Sequence, residues 1–467
     1  MTQNPTPPRE RPELTETDED DFILDPGTVL AIREAGATGD AEALKALMEP
    51  LHPADIADLL EQVAPDERGA LVRLYGEEFD GDILSEIDET IRDEVVAQLS
   101  PEVLSDAVRE LDTDDVVDLL EDLESPAQQA VLEALDRADR VAVEQALTWP
   151  EHSAGRLMQR ELVMGPDHWT VGEAIDYLRD AKDLPDQFYH LILVTPRMEP
   201  IANVTLGRIL SSRREVKLKD IAEETFRVFE VTDDEADVAY AFNQYHLISS
   251  PVVDDAGRLV GMITIDDAMT VLAEESQEDI LRLAGVGADS SVTDRVSETV
   301  CQRLPWLVVN LLTAMISATV IAQFDKTIEQ IVALAVLMPI VASMGGNAGT
   351  QTLTVAVRAL ATRDLTAANI WRVFRRELIV GVINGAVFAL ALGAVGLFWF
   401  SWPMLGAVLA LAIIINLIIA GLVGIGVPVL LEKIGVDPAL ASGTFVMTVT
   451  DVVGFFAFLG LATVMLL

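Results

Sequence analysis

The sequence predicts a multidomain membrane protein: an α-helical N-terminal repeat domain, a duplicated α/β region, a connecting helix and a five-helix transmembrane domain. Three observations predict it. Charge is segregated along the chain, apolar segments of spanning length are confined to its last third, and one α/β pattern occurs twice before them. The 467 residues carry a net charge of −44, yet residues 300–467 hold 8 basic and 7 acidic residues and are nearly neutral. Residues 1–299 hold 24 basic against 69 acidic residues, a net of −45. A surface that acidic repels nucleic acid, which excludes that partner, and its summed field recruits cations.

Residues 1–24 are rich in Pro, Thr and acids and read as a disordered tail with no apolar leader. Residues 25–150 read as short amphipathic helices. Ser100 is placed to cap a helix whose first position is Pro101. The stretch His52-Pro-Ala-Asp-Ile-Ala-Asp58-Leu-Leu-Glu61 recurs as Asp112-Thr-Asp-Asp-Val-Val-Asp118-Leu-Leu-Glu121, which suggests stacked helical repeats. The single cysteine, Cys301, excludes an internal disulfide.

Residues 151–273 alternate β and α patterns. In the second half, Phe226–Val231 reads as a strand and Thr232 as the cap of an acidic helix through Tyr245. A hairpin follows across Asp254-Asp-Ala-Gly257. The first half repeats the plan, with a helix expected over Trp169–Ala181 and strands at Tyr189–Val194 and Ile201–Thr205. Residues 274–300 are expected to form one connecting helix, and residues 301–467 the membrane domain.

A membrane span needs about 20 apolar residues. Five segments qualify, near 302–324, 330–356, 378–400, 404–431 and 438–466. Arg358, Arg363, Arg372, Arg375 and Arg376 lie between the second and third, and the positive-inside rule places that loop in the cytoplasm. The acidic half is then cytoplasmic, the C-terminus lies outside, and the protein is expected in the cell (inner) membrane.

Polar groups within these spans are few: Asn310, Asn384, Asn416, Asp451 and the run Ser343-Met-Gly-Gly-Asn347-Ala-Gly-Thr-Gln351. Gly345, Gly346 and Asn347 make that run a break lining a cavity or, alternatively, a small-residue packing face. At helical spacing Thr444, Thr448 and Asp451 share one face. An intramembrane carboxylate suggests an ion pathway, the alternative being a protonated Asp that packs against a neighbouring helix. No nucleophile–base pair is visible, no phosphate-binding loop is present, and His52, His152, His168, His190 and His246 are scattered, so an enzyme is not expected.

The duplicated α/β region resembles a tandem CBS pair. Its second copy ends Gly261-Met-Ile-Thr264-Ile-Asp-Asp267, whereas the first, Asn203-Val-Thr205-Leu-Gly-Arg208, lacks the closing Asp. In CBS pairs Thr-x-x-Asp often holds a nucleotide ribose. Thr264 and Asp267 are therefore possible ATP contacts, and a purely structural pair is the alternative. The whole chain resembles the MgtE family of magnesium channels and transporters. The matching stretches are Pro339–Gln351, Arg358–Asp364, Glu274–Ile280 and Asp437–Gly454. The resemblance implies a homodimer in the lipid bilayer with a pore between the two membrane halves. It also implies that Asp451 supplies an ion-selecting carboxylate and that Asn347 lies near the pore mouth.

Mg²⁺ suits such a site, because it dehydrates reluctantly and prefers a few carboxylates with retained water. Entry needs no ATPase, since a divalent ion gains roughly 4–5 kcal/mol per 100 mV of inside-negative potential. The acidic half then reads as a sensor of the same ion, with Asp267, Glu275, Glu278 and Asp279, and also Asp233 and Asp234, as candidate Mg²⁺ ligands. A broader Co²⁺/Mn²⁺ transporter and a membrane-anchored CBS regulator that transports nothing are the alternative functions.

Overall fold

The computed structural model describes residues 24–123, 125–182, 184–185, 187–287, 290–291, 296–440 and 442–467, so nearly all of the acidic tail expected over 1–24 lies outside them. The chain divides into two compact units, Met1–Leu272 and Ala273–Leu467.

The first unit begins with short helices from Pro26–Thr38 to Arg137–Ala146. Their starts are set by local chemistry. Asp40, Asp80 and Ser100 each accept a backbone N–H of the first turn, and Pro53, Pro65 and Pro101 occupy first helical positions. The two copies of the sequence repeat form helices Pro53–Gln62 and Thr113–Asp122. Leu59, Leu60, Leu119 and Leu120 from these copies are buried in one shared apolar core. Buried arginines tie successive helices together. Arg68 donates to the carbonyls of Leu60 and Val63 and to Glu94, and Arg92 donates to those of Ile87 and Ser85 and pairs with Asp118. Each such arginine satisfies carbonyls left open where a preceding helix ends.

The α/β region contains two three-stranded sheets of the same topology. In the first, β1 (Val163–Pro166) is parallel to β2 (His190–Val194), which is antiparallel to β3 (Pro200–Thr205). In the second, β4 (Phe229–Glu230) is parallel to β5 (Ser249–Val253), which is antiparallel to β6 (Leu259–Thr264). Parallel neighbours need a crossover, supplied by helices Val171–Asp180 and Glu235–Tyr245. The cap of the second helix is Asp234 rather than Thr232, because the Asp234 carboxylate accepts from the N–H groups of Ala236 and Asp237. Where the first copy lacks its closing Asp, the Arg208 guanidinium donates to the carbonyls of Ile221 and Ala222 instead.

The connecting helix differs from the expectation over 274–300. It runs Ile265–Ala284, starting at the end of β6 and stopping at Gly285, whose φ of 73° ends the right-handed spiral.

Among the described residues of the second unit, five helices are long and apolar enough to cross a membrane: Thr299–Ala322, Ala333–Ala361, Ile370–Phe398, Pro403–Lys433 and Gly443–Leu466. The fourth span packs against the second, third and fifth, and the first packs on the fifth. The expected break at Ser343–Gln351 is corrected, since the second span continues through it as unbroken helix. The glycines serve close packing: a Cβ at Gly345 would lie 2.1 Å from Asn416 Nδ2, and one at Gly349 2.6 Å from Val446 Cγ1. Small residues let helix backbones approach where lipid offers no hydrophobic driving force.

Candidate functional site

In the membrane unit, Thr444, Thr448 and Asp451 follow one another along the fifth span. The Thr444 hydroxyl donates to Asn310 Oδ1 of the first span at 3.0 Å, and the Thr448 hydroxyl donates to the Thr444 carbonyl. Asp451 is half-buried and Asn347 is exposed. Among the described residues no hydrogen bond joins them. Gly345 and Gly346 are buried, but only Gly345 is crowded, as a Cβ at Gly346 would meet nothing within 4 Å. One copy of the chain thus presents an acid and an amide near its surface, backed by the tightly packed second, fourth and fifth spans.

A second set of acids lies where the connecting helix meets the loop before the fifth span. Arg282 holds Glu278 at 2.6 Å and Asp437 at 2.8 Å, and Asp437 also accepts from the Ala439 N–H at 2.7 Å. Asp279 shares this environment. Burial pushes its carboxyl above the usual range, and the negative charge of Asp437 adds to the effect against the pull of Arg282. Glu275 is exposed one turn earlier on the same helix. Sequence reasoning missed Asp437 as a partner of this group, although it fell inside a quoted motif.

The third set belongs to the first unit, where the start of helix Thr113–Asp122 meets the start of the connecting helix. Asp114, 8% exposed, and Asp115 converge there on Asp267. Burial raises all three. Asp114 lies well above the ordinary carboxylate value, Asp115 is pushed up to about 7 and Asp267 to about 6; for Asp114 and Asp115 the charge of Asp267 adds to burial. The Thr264 hydroxyl and N–H both donate to Asp267, which lowers its pKa but does not offset desolvation. Glu161 fixes the juxtaposition: its carboxylate accepts from the Thr113 hydroxyl at 2.7 Å, the Thr113 N–H at 3.3 Å and the Arg160 N–H at 2.9 Å.

Asp114 and Asp115 had been legible only as members of a leucine repeat. The available signal was Asp112-Thr-Asp-Asp, three acids in four residues at a helix start, but a solvated helix start looks the same. Asp233 and Asp234 stand outside this group. Asp233 accepts from the Glu230 N–H at 2.8 Å, and Asp234 caps its helix. Among the described residues no three His, Cys, Asp or Glu side chains form a closed metal cage. A hydrated Mg²⁺ needs only one or two carboxylates.

The family described as MgtE, divalent cation transporter, matches residues 338–461; the MgtE intracellular N domain matches 51–152, and a CBS domain matches 218–274. The magnesium transporter MgtE of Thermus thermophilus is 31% identical over 443 residues, which cover 94% of this chain and 98% of that protein. The chain belongs to the MgtE family. The magnesium transporter MgtE of Bacillus subtilis is also 31% identical, over 68% of this chain and 70% of its own. Among solved structures, the cytosolic domain of the Mg²⁺ channel MgtE in complex with ATP is 28% identical with a TM-score of 0.48, covering 52% of this chain and 99% of that one. The CBS match falls on the second copy, the one that keeps Thr264 and Asp267. MgtE relatives are transporters, so the family is not one of enzymes.

Proposed function

We propose that this MgtE protein is a Mg²⁺-selective channel for magnesium uptake, assembled as a homodimer and closed by cytosolic Mg²⁺. The observation that carries the transport reading is Asp451, a half-buried carboxylate in mid-span on a face it shares with Thr444 and Thr448. Two copies facing each other would offer two acids, with Asn347 near the mouth, enough to hold a hydrated divalent ion without trapping it. The five spans and the arginine loop favour a cytoplasmic N-terminal half and a C-terminus outside.

The regulatory half rests on the clustered acids. At low Mg²⁺ the charges of Asp114, Asp115 and Asp267 oppose docking of the N domain on the second CBS unit. Bound Mg²⁺ removes that opposition, and Glu275, Glu278 and Asp279 serve likewise around the connecting helix. Each ion shifts the gate only by its differential affinity for the closed state, so several weak sites act together. A nucleotide using Thr264 and Asp267 would need the same carboxylate, which makes ATP binding there and cation bridging to Asp114 exclusive uses of Asp267.

The test is Mg²⁺ flux into liposomes holding the full-length protein, with cytosolic-side Mg²⁺ titrated. Asp451→Ala should abolish flux while the protein still folds; unchanged flux refutes the pathway. Joint neutralisation of Asp267, Glu275, Glu278 and Asp279 should make flux independent of cytosolic Mg²⁺, and a normal Mg²⁺ titration in that variant refutes the sensor. Equal flux of Co²⁺ or Mn²⁺ through the wild-type protein would refute selectivity for Mg²⁺.

A further inference from the structure

Asn416 stands in the middle of the fourth span and is fully buried. Its Nδ2 donates to the Val341 carbonyl of the second span at 2.9 Å, while its Oδ1 has no partner among the described residues. The amide fits only because both flanking helices carry glycine beside it. A Cβ at Gly345 would lie 2.1 Å from Nδ2, and a Cβ at Gly454 of the fifth span 2.7 Å from it. Gly345 is two residues before Asn347, and Gly454 is three residues after Asp451. One side chain therefore reaches both helices that bear the candidate pathway groups.

An apolar residue would fill this slot without leaving a carbonyl oxygen unsatisfied at membrane depth, where unpaired polar groups are costly. Apolar packing, however, tolerates sliding and rotation, whereas a hydrogen bond to one carbonyl is directional. A helix that slips by one residue moves about 1.5 Å along its axis and turns about 100°. Such a slip would carry Asp451 off its face.

We propose that Asn416 is a positioning residue for ion permeation: wedged between Gly345 and Gly454 and bonded to Val341, it fixes the register of the fifth span against the second and thereby the placement of Asp451. This inference rests on the transport reading above.

The test is a double-mutant cycle in the full-length protein in liposomes, read by Mg²⁺ flux and by the ratio of Mg²⁺ to Co²⁺ flux, with folding followed by elution and thermal melting. Asn416→Leu, of similar volume, should lower Mg²⁺ flux about tenfold and shift the ratio, the scale expected for residues in contact. Gly345→Ala should lower flux comparably when Asn416 is present. In Asn416→Ala, where the side chain that collides is gone, adding Gly345→Ala should change flux by less than about threefold. Wild-type flux and ratio in Asn416→Leu would overturn the proposal, as would additive effects of Gly345→Ala and Asn416→Ala. If Asn416→Leu does not fold, the cycle between positions 345 and 416 decides alone. A wild-type protein that passes no Mg²⁺ would overturn the transport reading itself, and this inference with it.

Discussion

Asp267→Asn should convert docking of the N domain on the second CBS unit from Mg²⁺-dependent to Mg²⁺-independent. Asp267 is pushed from 3.8 to about 6, mainly by burial, with Asp114 and Asp115 raised beside it. An acid whose pKa is raised on docking binds protons more tightly docked than undocked. Its ionisation therefore opposes docking, progressively from about pH 4 and fully above about pH 6–7. At pH 8 without Mg²⁺ the penalty from Asp267 is about 3 kcal/mol, or roughly a hundredfold in the docking equilibrium. Asn keeps the shape, removes the charge and leaves an amide to donate to Asp114. Hydrogen exchange of the Thr113–Asp122 segment in the full-length protein measures docking directly. At pH 8 without Mg²⁺, the variant should exchange roughly a hundredfold more slowly than wild type. Mg²⁺ should protect wild type and add little to the variant. At pH 5 the wild type should need far less Mg²⁺-derived protection, because protons already neutralise the cluster. Faster exchange in the variant, or equal Mg²⁺ protection in both, would refute the view that these carboxylates repel one another at rest.

Other consequences concern packing and the connecting helix. Arg68→Leu leaves the Leu60 and Val63 carbonyls and Glu94 without their guanidinium, and should cost about 3 kcal/mol of N-domain stability by thermal or denaturant unfolding. Gly349→Ala drives a Cβ against Val446 and should lower membrane-domain stability by about 1–3 kcal/mol, seen as an earlier melt in detergent. Asp437→Asn removes one of the two acids on the partly exposed Arg282 and should change stability by no more than about 1 kcal/mol. The same variant should shift the Mg²⁺ concentration that halves flux, because Asp437 faces Asp279.

Local chemistry was legible wherever a feature depends on near neighbours. Ser100 and Pro101 start their helix as read, since capping involves only the first turn. The five spans follow from runs of apolar residues, and the charge segregation that marks the acidic half needs no folding at all. The errors lie where a distant partner decides. Gly345 and Gly346 suggested a broken helix, but the amide of Asn416 and the valine at 446 fill the space beside Gly345 and Gly349 and support a continuous one. One local expectation also failed: Thr232 was expected to cap the acidic helix, but the turn places the Asp234 carboxylate over the helix start instead. The connecting helix was placed too late, because its first turns look like the end of a CBS unit.

The family, the order of the domains, the spans and the carboxylate at 451 can be read from the linear string, because periodicity, charge and motif are properties of it. Which of the many acids act together is a property of the fold. Asp267 lies about 150 residues along the chain from Asp114 and Asp115, and all three resemble dozens of solvated carboxylates until burial removes their water and sets their charges against one another. Asn416 is the same case within the membrane. Its residue type was visible, but its role depends on two glycines and a carbonyl that only helix packing brings to it.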